Sequence, residues 1–70
     1  VQWPKVLLTD DTAYYIRAGN PVRVRQRPDQ GWLRLYDPND HFIGIGEVLA
    51  DGRIAPRRLF KNTTKPPQQA

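Results

Sequence analysis

The residues with chemistry to offer in this chain are mostly arginines, and they gather near glycine and proline. Arg17 precedes Gly19-Asn20-Pro21, Arg23 and Arg25 follow it, and Arg57-Arg58 come directly after Ala55-Pro56. A guanidinium binds phosphate through two parallel N–H groups and stacks on nucleobases, so this bias points to a polyanion such as nucleic acid. Trp32, Arg34 and Tyr36 alternate along one segment and could form a platform for bases, although aromatic strand residues more often serve packing, the role favoured here. His41 stands without a second His, a Cys or clustered carboxylates, so no metal site is expected. Glu47 has no sequence neighbour with which to make an acid–base pair. No nucleophile and base fall into a catalytic pattern, so the chain itself is not expected to catalyse a reaction.

The elements that must hold these side chains can be read in turn. Val6-Leu7-Leu8 predicts a short strand buried on both faces. Thr9 or Asp10 is a good N-cap, and Asp10 and Asp11 favour a first helical turn, giving a helix over about residues 11–18 with Ala13 and Ile16 inward. Gly19 suits the left-handed position after a helix, and Pro21 forbids continuation. Val22-Arg23-Val24-Arg25 alternates as a strand with valines inward. Residues 27–31 read as a loop. Residues 32–36 make another strand, with Leu33 and Leu35 on one face, and Asp37-Pro38-Asn39-Asp40 turns the chain.

The stretch FIGIGEVLADGRIAPRRLF, residues 42–60, organises the rest. Ile43 and Ile45 should point to one side of a strand and Gly44 and Gly46 to the other, the glycines allowing close packing or curvature. Asp51-Gly52 predicts a type I′ hairpin turn. Pro56 either ends regular pairing or lies at a sheet edge. Beyond Phe60, residues 61–70 have no apolar periodicity and read as a disordered tail or linker.

Composition sets the limits. Seventy residues with 39% hydrophobic content allow one domain with one modest core. With no cysteine, neither disulfides nor thiolate metal sites are available, which is compatible with a reducing compartment. No apolar run reaches the roughly 18 residues of a membrane span. Because Val1 opens the chain rather than Met, a fragment or processed product is expected. The formal charge of +4 and a pI near 10.0 fit an anionic partner. Five or six short strands and one helix predict a mostly β, α+β domain: a small pseudo-barrel with the helix covering an opening.

Four segments then fall in order: Arg17-Ala18-Gly19-Asn20-Pro21-Val22-Arg23, Leu33-Arg34-Leu35-Tyr36-Asp37, Phe42-Ile43-Gly44-Ile45-Gly46-Glu47-Val48 and Gly52 to Leu59. Together they resemble the C-terminal domain of the bacterial tRNA pseudouridine synthase B family, enzymes that modify the T-loop uridine. That domain belongs to the PUA group of RNA-binding pseudo-barrels. The resemblance spans about residues 5–60, and its specific part is Gly-x-Gly-Glu together with Ala-Pro-Arg-Arg-Leu. It implies residues 1–4 as a lead-in from an upstream catalytic domain absent from this chain.

The resemblance further implies a cytoplasmic, monomeric RNA-binding accessory module. Its partners would be tRNA, on the acceptor and T-arm side, and the catalytic domain of the parent chain, with no cofactor. Arg17, Gly19, Asn20, Arg23 and Arg25 become the expected RNA surface, where glycine lets backbone N–H groups approach phosphate. Arg57 and Arg58 are expected to join the same patch, although an extended backbone would let only one of them face it. The alternative is a small barrel that binds an extended peptide on its aromatic strand. RNA binding would fall steeply with salt and apolar peptide binding would not.

Overall fold

A computed structural model describes residues 2–60, so the tail expected at 61–70 lies outside the described residues. The chain runs β1 (Lys5–Leu7), α1 (Asp10–Arg17), β2 (Gly31–Tyr36), β3 (Phe42–Val48) and β4 (Ile54–Leu59). The strands form one sheet in the order β1-β2-β3-β4; β1 is parallel to β2 and the other pairs are antiparallel. The fold is mostly β with one helix, and the strand count corrects the expected five or six to four among the described residues. Among the described residues the four strands lie in one row, with β1 and β4 at its ends.

The helix begins where local chemistry demands. Thr9 is the N-cap, and it exchanges bonds with Thr12: Thr12 N–H donates to Thr9 Oγ1 at 3.1 Å, and Thr9 N–H donates to Thr12 Oγ1 at 2.8 Å. Threonine thus fills the place usually held by Glu or Gln in a capping box. Ala13 and Ile16 are buried against Leu33, Leu35, Ile54, Val6 and Leu8, so α1 covers one face of the sheet. At the other end Gly19 has φ +93°, its N–H donates to the Ile16 carbonyl, and Asn20 N–H donates to the Tyr15 carbonyl, both at 2.9 Å. These two bonds close a Schellman motif, the strongest helix stop available to a Gly-Asn pair.

The missing strand has a physical reason. Val22 bridges Ile54 in both directions, at 2.9 and 2.7 Å, but the pairing goes no further. In an antiparallel register the next partners are Asn20 with Pro56, which has no N–H, and Val24 with Gly52, which lies in the hairpin turn. Residues 22–25 still alternate inward and outward without a ladder.

Three further expectations are corrected. Leu7 is 56% exposed, because β1 is an edge strand with only one face covered; the buried residues are Val6 and Leu8. The β2–β3 register slips between Leu35 and Tyr36, leaving Ile43 unpaired with β2. That extra residue turns Ile43 into the core, while Ile45 is half-buried and Gly44 and Gly46 lie on the core side. The Asp-Gly turn is not type I′, since Gly52 alone has positive φ, +91°. Gly52 N–H donates to the Leu49 carbonyl and Leu49 N–H to the Arg53 carbonyl, giving a three-residue loop closed by a left-handed glycine.

Pro56 does not end β4. It sits on the outer edge, and pairing resumes beyond it with Ile45–Arg58 and Gly44–Leu59. Arg57 is the extra residue of this second bulge. Gly44 and Gly46 make the close approach of β3 and β4 possible: a Cβ at Gly46 would meet Ile54 Cγ2 at 2.9 Å and Leu35 Cδ1 at 3.2 Å.

Candidate nucleic-acid interface

The end of α1 and the segment after it carry three of the expected cations, and two of them reach different turns. Arg17 occupies the last helical turn, where a positive charge is favoured by the helix dipole. One of its terminal nitrogens donates to Asp37 Oδ2 at 3.3 Å, and half of its side chain remains open. Arg23 donates to the Asp51 carbonyl at 3.3 Å. Arg25 is exposed and makes no hydrogen bond or ion pair among the described residues. Gly19 and Asn20 are exposed, and nothing lies within 4 Å of the place where a Gly19 Cβ would stand. Their N–H groups, expected to face phosphate, are already donated to helix carbonyls. The backbone donors of this turn are thus used within the fold, and the groups it leaves open are the guanidinium groups of Arg17, Arg23 and Arg25.

Asp37, read in the sequence only as part of a turn, is the post behind Arg17. It is buried, and its Oδ1 accepts the N–H groups of Asn39 and His41, each at 2.9 Å. Oδ2 accepts from Arg17 and lies 3.3 Å from His41 Nδ1. The His41 N–H holds the carboxyl below its ordinary range, with smaller help from Asn39 and the His41 ring and against the effect of burial. The signal in the sequence is Asp at the first position of Asp-Pro-Asn-Asp, which favours a side chain bonded to the backbone two residues on. At the opposite turn the Arg53 N–H and guanidinium similarly lower Asp51.

Arg57 and Arg58 do not join the helix-end cations. Leu33 and Leu35 point to the core, so Trp32, Arg34 and Tyr36 point to the other face. Ile45 lies opposite Arg34, Glu47 opposite Trp32, and Arg58 opposite Ile45, which puts all three on that outer face. Arg57 follows, because its Nε donates to Glu47 Oε1 at 3.0 Å. The expected single basic patch is thus divided: Arg57 and Arg58 lie on the outer face, away from α1 and the Arg17–Asp37 pair, a placement decided by a bulge that spacing alone does not show.

The outer face also holds residues to which sequence patterning assigns no role. Trp3, in the expected lead-in, stacks on Trp32 with centroids 5.8 Å apart and planes 25° from parallel. Arg34 Nε fixes it there by donating to the Trp3 carbonyl at 2.7 Å. Phe42 meets Tyr36 and Phe60, each at 5.5 Å. Among the described residues no three His, Cys, Asp or Glu side chains come together, and no helix is long and apolar enough to cross a membrane.

Comparison with known proteins places the chain in a family. The family described as "Pseudouridine synthase II TruB, C-terminal" matches residues 4–60. A tRNA pseudouridine synthase B of Pseudomonas aeruginosa is 52% identical over 62 residues, covering 89% of this chain and 20% of the relative. The enzyme of the same name from Nitrosococcus oceani is 54% identical over 58 residues, 83% of this chain and 19% of the relative. That of Coxiella burnetii is 51% identical over 59 residues, 84% and 19%. The chain spans about a fifth of the length of the curated relatives it matches.

Proposed function

The chain belongs to the family of TruB C-terminal domains, and from that premise we propose that it is a PUA-type RNA-binding module that helps a tRNA pseudouridine synthase hold its substrate. In this reading Arg17, Arg23 and Arg25, around the Gly19-Asn20 turn, grip backbone phosphates on the acceptor and T-arm side of tRNA. Conversion of the T-loop uridine is left to the remaining four-fifths of proteins such as those it matches. The observation that supports the proposal is the pairing of family membership with three exposed arginines on the end of α1 and the segment that follows it.

Such a grip is electrostatic and indifferent to base sequence. Removing one phosphate-binding cation lowers the slope of log affinity against log salt by about one unit. Alone, the module should bind an acceptor-arm RNA weakly, with a Kd of about 10⁻⁴ to 10⁻⁶ M at physiological salt. Arg17→Ala with Arg23→Ala should then lower the salt slope by about two and nearly abolish binding while the melting curve keeps its cooperativity. Unchanged affinity and slope in that double variant would remove the helix end from the RNA surface.

A further inference from the structure

We propose that the outer face of the sheet is a second binding surface, a stacking platform for an unpaired stretch of RNA strand. It goes beyond the helix-end reading and does not depend on it, since α1 covers the opposite face. The platform runs from the Trp3–Trp32 pair through Arg34 and Tyr36 to Phe42, Phe60 and Arg58. Its rings are open to solvent: Trp3 is 39% exposed, Trp32 41%, Phe42 41% and Phe60 45%. In so small a domain these side chains belong in the core unless another role keeps them out.

Charge selects the occupant. Lys5 Nζ lies 4.6 Å from the centre of the Tyr36 ring, with Arg34 5.8 Å from the same ring and Arg58 5.7 Å from that of Phe60. The carboxylates nearby are committed: Asp40 to Lys5 at 2.6 Å and Glu47 to Arg57 at 3.0 Å. Arg34 and Arg58 have no carboxylate partner among the described residues. Flat rings interleaved with unneutralised guanidinium groups match a strand that carries a phosphate with every planar base. An apolar peptide would leave those charges buried without compensation. The rings also need no sequence to read, because every base has a stacking face. Duplex RNA, whose bases are already stacked on each other, should be refused.

Both tryptophans of the chain stand on this platform, so intrinsic fluorescence reports it without a label. The 70-residue chain is titrated with an oligouridylate of about ten nucleotides, within the usual site size of a stacking groove. The expected result is saturable quenching that weakens as salt rises, with little response to an RNA duplex of the same length. Arg58→Glu combined with Phe60→Ser, both at exposed positions, should weaken the titration by about tenfold or more while the thermal melt stays put. Arg17→Ala with Arg23→Ala should leave this quenching curve in place, which separates the platform from the helix-end site. Three results would overturn the proposal: no quenching by the single strand, equal quenching by duplex, or concentration-dependent pairing of two chains through this face in sedimentation. An acidic or apolar peptide that competes the oligonucleotide off completely and binds more tightly would assign the face to a protein partner instead.

Discussion

Replacing Asp37 by Asn tests whether one carboxylate joins α1 to the β2–β3 turn. The substitution keeps the shape, and the amide oxygen can still accept from Asn39 and His41, now at 2.9 Å from a neutral group rather than an ion. Bonds to an ionised acceptor are about twice as strong as neutral ones, so two of them weakened cost about 1 kcal/mol. The second position becomes an NH₂ facing Arg17 and the His41 ring. A half-open pair such as Arg17–Asp37 contributes at most about 1 kcal/mol, discounted for screening. The expected loss is therefore about 1–2 kcal/mol, or a Tm lower by roughly 4–16 °C in a domain of this size.

The pH dependence fixes the cause. The folded carboxyl titrates below its ordinary 3.8, so the unfolded chain binds more protons than the folded one as acid is added. The stabilisation is complete above 3.8 and is lost as pH falls through the lower folded value. Urea melts of both proteins from about pH 7 to about pH 2 should show a gap that is constant at first and closes below 3.8. Equal stability at neutral pH, or a gap that persists undiminished in strong acid, would refute the ionised post.

Two other substitutions bear on the elements around the sites. Gly19→Val should cost at least about 1 kcal/mol, since a β-branched residue tolerates φ +93° poorly; an unchanged denaturation midpoint would remove the Schellman stop. Gly46→Ala should cost about 1–3 kcal/mol, because its Cβ has to displace Ile54 Cγ2 and Leu35 Cδ1; calorimetry showing equal or higher Tm would mean that β3 and β4 can part without loss.

Local chemistry is legible in the sequence, and long-range register is not. The helix, its threonine cap, the inward Ala13 and Ile16 and the left-handed Gly19 depend on neighbours within one or two turns, and they stand as expected apart from one residue at each boundary. The inward Leu33 and Leu35 and outward Trp32, Arg34 and Tyr36 follow from strict alternation in an unbroken strand. Alternation fails where a bulge inserts a residue, and that is where expectation and structure part, at Ile43 and at Arg57. Nothing in Arg57-Arg58 announces that a bulge just after Pro56 will turn Arg58 away from the helix along with Arg57. Trp3 is hidden for a similar reason: its partner is nearly thirty residues away, and only the parallel pairing of β1 with β2 brings them together.

Pro56 has a consequence for crowded solution. A face of exposed rings beside bare strand edges is a recipe for sheet-to-sheet growth, in which one chain extends the ladder of the next. Before the bulge in β4 the groups that point away from β3 belong to Ile54 and, two residues on, to Pro56. Ile54 is taken by Val22 at 2.9 and 2.7 Å, and Pro56 has no N–H to lend. The other edge is three residues long and follows Pro4, whose carbonyl is already bonded to Arg34 N–H at 2.7 Å. Among the described residues, the shortness of β1 and the proline in β4 thus limit the unbroken run of backbone that either border can lend to a neighbour.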